Sequence, residues 1–352
     1  YFIWNFFIIS GRSYLFVYKA VGVVFMTMRK GIQSIEFSKT PYIKGWASVA
    51  GQKEGEGPLG NAIDQIIEDP YFGQKSWELA EGRFMKQAAM LAISKARLHT
   101  KDIRYAFAED LLEQNTATFS GMKELEIPLF GLFGACSTVG EALSLAAMSI
   151  AGDFAKHVLA VASSHIGSAE KQFRFPLEYG NQRPLSSTWT VTGSGGFVVS
   201  DEKGLVKIKG ITTGKIVDYG MEDPMNMGAC MAPAACDTIC QHLKDFNRQP
   251  TDYDAIITGD LGKVGQQILL KLVAEHGYDI SDRHLDCGML IFDPESQDTH
   301  AGGSGCGCSA VTLAAYLLPK INRGEWQRIL FVPTGALLST TECTGNCPRG
   351  CD

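Results

Sequence analysis

The chain has 352 residues, 45% of them hydrophobic, a formal net charge of −6 and an isoelectric point near 5.7. That apolar content suits two ordinary domains or one large duplicated one, and excludes a disordered or fibrous chain. The acidic balance, with no basic block, excludes nucleic acid as the main partner and leaves a small molecule as the expected ligand.

Residues 1–28 are apolar and aromatic but are interrupted by Gly11, Arg12, Ser13 and Lys19. Neither half reaches the roughly 18 uninterrupted apolar residues of a spanning helix, and the order is not that of a signal peptide. The segment reads as an extension, non-native or disordered, lying before a start at Met28; a membrane anchor is the alternative. "SWELAEGRFMKQAAMLAISKARL" has apolar residues at helical spacing, with Ser76 as its cap. "IRYAFAED" then reads as a strand ending in an acidic turn. In "GLFGACSTVGEALSLAAMSI", Cys136 sits on a glycine turn at the mouth of a helix from about Ser137 to Ala151, and the strand "HVLAVASS" follows. Strand-helix-strand order of this kind predicts a largely parallel sheet covered by helices.

Beyond that strand, His165 falls in a loop, either on a pocket rim or as an ordinary surface histidine. "KQFRFPLEYGNQRP" places Arg174 and Arg183 around aromatic residues. Paired arginines suit bidentate capture of carboxylates, although pairing with Glu170 or Glu178 would explain them equally well.

The second half repeats the first. "YAFAEDLLEQ" is echoed by "AIITGDLGKVGQQ", and the Cys136-Ser137 helix with its strand is echoed by "GCGCSAVTLAAYLLPKINRGEWQRILFVPTG". Pro319 implies a kink or an early end in that second helix. An internal duplication follows, with halves at 29–200 and 201–352 whose loops would converge on one crevice. "GGSGCGC" and "GDLGKVG" lack the glycine order of nucleotide-binding loops, so no cofactor is expected. Most of the ten cysteines lie singly in apolar surroundings, which suits a reducing compartment. Cys343, Cys347 and Cys351 have the spacing of a metal run but no fourth ligand nearby, so no metal site is expected.

A duplicated α/β chain with a cysteine on "GACS", "TVTGSGGFVVS" near its middle and a second glycine-rich turn resembles the thiolase-like superfamily, including ketoacyl synthase III. More closely, "YIKGWASVAGQKEGEGPLG", "EKQFRFPLEYGNQRP", "TGKIVDYG", "NMGACMAPAA", "TGDLGKVG" and "HAGGSGCGCSAV" resemble the stage V sporulation protein AD family. The resemblance implies a thiolase-like duplicated five-layered αβαβα fold. It places Cys136 at the nucleophile position and His300 at one of the two hydrogen-bond donors that condensation requires. Asp260 stands where the other donor, a histidine, belongs. An ionised aspartate only accepts hydrogen bonds, so the condensing machinery reads as incomplete. Asp260 also reads as a helix cap for "LGKVGQQILLKLVAEHG", and His300 as a structural histidine.

The resemblance further implies a non-catalytic protein that binds dipicolinic acid, alone or with calcium, for accumulation in the spore core. Cys136, Asp260, His300, Arg174, Arg183 and His165 are the expected ligand-binding residues. A homodimer is expected, beside the membrane proteins of the stage V sporulation A complex. Its place would be the forespore or spore, soluble or peripheral at the inner spore membrane. The competing reading is an enzyme that condenses or transfers acyl groups from coenzyme A or carrier thioesters through Cys136. The family is also expected to close with a hairpin after "GALLS", where this chain shows no strand pattern.

Overall fold

The computed structural model of the chain describes residues 28–336 except 174–182, 205, 222 and 224. The apolar extension up to residue 27, Arg174, the terminal cysteine run and the expected closing hairpin lie outside the described residues.

The larger sheet has seven strands. Its path runs Val206–Lys207, Tyr42–Gly51, Gly193–Ser200, His157–Ser164, Tyr105–Asp110 and Leu129–Gly131, with Gln65–Ile67 paired beside Tyr42–Gly51. The last three strands of the path are parallel, as the strand-helix-strand reading predicts. The long Tyr42–Gly51 and Gly193–Ser200 strands pair antiparallel with each other, and Gly193–Ser200 also runs antiparallel to His157–Ser164, so the sheet is mixed rather than largely parallel. Those two strands lie outside the strand-helix-strand units from which parallel pairing was inferred. A second sheet of three parallel strands, His284–Asp286, Ala255–Thr258 and Ile329–Val332, repeats the order of the parallel trio.

Successive side chains along each strand point to opposite faces, which sorts them into layers. Ala106, Ala108, Leu159, Val161 and Val198 pack on Met85, Ala89, Ala92 and Ile93 of the outer helix Trp77–Lys95. Their neighbours Phe107, Val158, Ala160, Phe197 and Val199 face Val139, Ala142 and Ile150 of helix Thr138–Ala151, together with Ala310 and Val311 of helix Cys306–Thr312. In the second sheet, Ala255 and Ile257 join that same middle layer, while Ile256 packs outward on helices Met227–Phe246 and Gly262–Glu275. Two outer helix layers, two sheets and a shared middle layer make the five-layered αβαβα arrangement. The middle layer is dense enough that every residue of Cys306–Thr312 is buried.

Local devices recur in the two halves. Each half introduces its central strand with a short turn closed by an aspartate: Asp102 accepts from His99 N–H, and Asp252 from Gln249 N–H, both at 2.8 Å. Each outer helix pair also crosses at two glycines. A Cβ on Gly121 would lie 2.3 Å from Gly82 O, and one on Gly265 would lie 2.7 Å from Gly228 O. Ser76 caps its helix as expected, accepting from Leu79 N–H at 3.3 Å. Pro319 is accommodated by a π turn over Leu313–Leu317, one register wider than an α turn, so the helix continues to Asn322.

Candidate functional site

Cys136 lies in a single 3-10 turn, Ala135–Ser137, that leads into helix Thr138–Ala151. Ala135 has a positive φ of 49°, and side-chain bonds hold the turn. Gly134 N–H donates to Thr138 Oγ1 at 2.7 Å, and Ser137 Oγ donates to Gly134 O at 2.7 Å. The thiol is only 4% exposed. Burial, and then the neighbouring Asp260 carboxyl, hold it well above the ordinary thiol range, so it is a neutral S–H.

Asp260 is fully buried at the end of the central strand of the second sheet. Gly305 N–H donates to its Oδ2 at 2.9 Å, while Oδ1 meets no partner with full hydrogen-bond geometry among the described residues. Burial pushes its carboxyl up to about 7; the Cys136 thiol and Gly305 N–H act against that, and Asp286 adds to it. Asp260 therefore stays protonated below about that pH and can donate a hydrogen bond. It does not cap the following helix. Asp286 does, accepting from Leu261 N–H at 2.8 Å and Gly262 N–H at 3.1 Å. The helix-cap alternative fails because a carboxylate from the adjacent strand already serves those amides.

Gly305 closes the centre with a φ of +97°, and a Cβ there would lie 2.7 Å from Ser164 Oγ. Ser164 accepts from Gly307 N–H at 3.1 Å, and Cys306 Sγ donates to Ser163 O at 2.8 Å. The strand ends of the first half thus meet the helix start of the second.

Glu109 is the residue that the motifs missed. It lies near the end of a buried strand, close enough to Cys136 and Cys306 that its charge would push both thiols up. Both of its carboxyl oxygens are buried without a hydrogen-bond partner among the described residues. The nearby Gly134 N–H is committed to Thr138. Burial drives the acid up to about 10, so Glu109 is neutral. The acidic pair closing "YAFAED" was the available signal, because a carboxylate inside a buried strand must be protonated or partnered.

The other expected residues gather elsewhere. His300 contacts Asp298 through Nε2 at 3.1 Å and donates from Nδ1 to Pro184 O at 2.9 Å. Arg183 donates through Nη2 to Asp298 O at 2.6 Å and Oδ2 at 3.1 Å. Its Nη1 has no partner among the described residues. The guanidinium lies 4.9 Å from the ring centre of Trp189, and Lys53 Nζ lies 4.3 Å from the same ring. Trp189–Thr190 pairs with Gly303–Ser304, the two residues before Gly305, so this cationic rim is joined directly to the buried centre. His165 is fully buried and engaged: Nε2 donates to Pro70 O at 2.8 Å, and Nδ1 accepts from Gly167 N–H at 3.0 Å. Its contacts are thus those of a core histidine. Lys53, far from Arg183 in sequence, is a second rim residue that only the fold brings into place.

A family model for stage V sporulation protein AD matches residues 31–347. The chain belongs to the stage V sporulation protein AD family. It is 45% identical over 311 residues to stage V sporulation protein AD of Bacillus subtilis (strain 168), covering 88% of this chain and 92% of that one. Solved structures with the same fold include a variant of OleA from Xanthomonas campestris bound with cerulenin. That structure has a TM-score of 0.57 at 14% identity, over 85% of this chain and 95% of its own. The 3-oxoacyl-[acyl-carrier-protein] synthase III of Aquifex aeolicus VF5 matches with a TM-score of 0.53 at 16% identity, over 83% and 94%. At such identities the likeness establishes the thiolase-like fold alone. Among the described residues, no helix of this family member is long and apolar enough to cross a membrane, and no three metal-ligating side chains gather.

Proposed function

We propose that this sporulation protein binds dipicolinic acid, free or as its calcium chelate, on a thiolase-like scaffold that no longer condenses acyl groups. The observation that carries the ligand class is the rim, where Lys53 and Arg183 lie against one indole. An aromatic dianion would offer a flat ring for Trp189 and two carboxylates for the two cations. His300 and Asp298 border the same position, and in the chelate Asp298 is an oxygen ligand within calcium's preference. The buried centre supports the loss of catalysis. The cysteine is covered and neutral, and the Asp260 carboxyl beside it disfavours its thiolate, although Asp260 itself can donate while it keeps its proton. A homodimer, working with the membrane proteins of the stage V sporulation A complex at the inner spore membrane, completes this reading.

Calorimetric titration of Arg183→Ala with dipicolinate tests the site. Loss of one charge-assisted contact should weaken binding about ten-fold or more. Unchanged binding would move the ligand elsewhere. The enzyme reading retains one supporting observation, a cysteine on a turn at a helix start in the fold of a ketoacyl synthase. It predicts a Cys136-dependent acyl adduct after incubation with acyl coenzyme A.

A further inference from the structure

The outer helix of the second half, Met227–Phe246, carries Cys236 and Cys240 one turn apart on one face. Both thiols are free, and their sulfurs are 4.0 Å apart. They line a groove of about 320 Å³, walled also by Lys215, Tyr219, Lys244 and His276. Each cysteine is nearly covered, at 3% and 4% exposed, so the reagents that reach the sulfurs are small ones entering that groove. The two thiols share one S–H···S contact in which either sulfur can donate; with Cys236 donating, its thiol is held up and the Cys240 thiol down. The Lys244 ammonium lowers Cys240 further. One member of the pair is thus the better nucleophile and the other is its resolving partner.

We propose that Cys236 and Cys240 form an oxidisable dithiol, converted by a peroxide entering the groove into an intrahelical disulfide. The Cys240 thiolate attacks the O–O bond, forming Cys240 sulfenic acid and releasing one oxygen as hydroxide, which takes up a proton to leave as water. The Cys236 sulfur then attacks the sulfenic sulfur. The hydroxyl group leaves with the Cys236 proton as a second water. Two thiols and one peroxide give one disulfide and two waters. Side chains one helical turn apart start with Cβ atoms about 5–6 Å apart, whereas a disulfide wants about 4 Å. The helix must tighten to close the bond, so the product is strained and readily reduced by small thiols. Cys136, Cys287, Cys306 and Cys308 are internal controls, since burial holds all four thiols well above their ordinary range.

The test treats the reduced full chain with hydrogen peroxide, then alkylates it and maps the peptides by fragmentation, which distinguishes this pair from Cys230 and from Cys343, Cys347 and Cys351. The expected product is a loss of about 2 Da placed between Cys236 and Cys240 and reversed by dithiothreitol. Cys236→Ser should leave Cys240 as a sulfenic acid that dimedone traps, and Cys240→Ser should leave Cys236 reduced at the same dose. The proposal is overturned if both thiols are fully alkylated after peroxide, or if Cys236 oxidises equally well without Cys240.

Discussion

Replacing Asp260 with asparagine should change how stability depends on pH, because the buried acid binds its proton far more tightly in the folded chain. Its folded value of about 7 stands above an ordinary value of 3.8. A raised acid retains a proton that the unfolded chain has released. Its contribution is therefore complete below 3.8 and is lost as pH rises to about 7, the reverse of a salt-bridged carboxylate. Three units at about 1.4 kcal/mol each give roughly 4 kcal/mol, as an order of magnitude. Glu54 is raised in the same direction, to about 7, and Glu81 to about 8, so the wild-type slope is the sum of several acids. The difference between wild type and Asp260→Asn isolates one of them. Asparagine keeps an acceptor for Gly305 N–H but does not titrate. Urea unfolding at several values between about pH 4.5 and 7.5 should show the variant gaining roughly 3–4 kcal/mol on wild type across that range. Parallel stability curves for the two proteins would refute a protonated Asp260.

Gly305→Ala should cost about 2 kcal/mol or more, because the residue has a φ of +97° and its Cβ would meet Ser164 Oγ at 2.7 Å. An unchanged denaturation midpoint would contradict that contact. Phe197→Ala should cost about 3–5 kcal/mol, since the ring is fully buried between the larger sheet and the middle layer. A loss below about 1 kcal/mol by the same assay would mean that the layer is loosely packed. Cys136 should react with iodoacetamide near neutral pH at least about ten-fold more slowly than an unfolded-chain cysteine, since its thiol is buried and neutral. Labelling followed by mass spectrometry would expose the opposite result as rapid single-site modification.

The parts of the fold legible in the sequence were those with a local cause. The helical spacing after Ser76, the run "HVLAVASS" and the echo between "YAFAEDLLEQ" and "AIITGDLGKVGQQ" each carry their signal within a few residues, and each matches the described structure. Cys136 was legible from its glycine turn at a helix start and Asp260 only through the family resemblance, and the fold brings the two together. His300 was read from the family resemblance, by the match of its glycine-rich loop to the donor position. The fold instead places it on the rim with Asp298, since its Nδ1 is held by Pro184 O. Lys53 has no such local signal, and Glu109 has only the acidic pair closing "YAFAED", which reads from sequence as a turn. Their environments arise from packing between segments distant in sequence, and only burial or a shared indole marks them. The antiparallel Gly193–Ser200 strand was invisible for a related reason, because a strand's direction is set by its partners rather than by its composition.

The most direct test of the central claim is an equilibrium titration of the wild-type protein with dipicolinate and, separately, with picolinate, which keeps the pyridine ring but only one carboxylate. Two cations over one indole predict saturable binding of dipicolinate and about ten-fold or more weaker binding of picolinate, with Cys136 remaining unmodified by acyl coenzyme A. Equal binding of the two acids, or no binding of either alongside a stable acyl adduct on Cys136, would contradict the account.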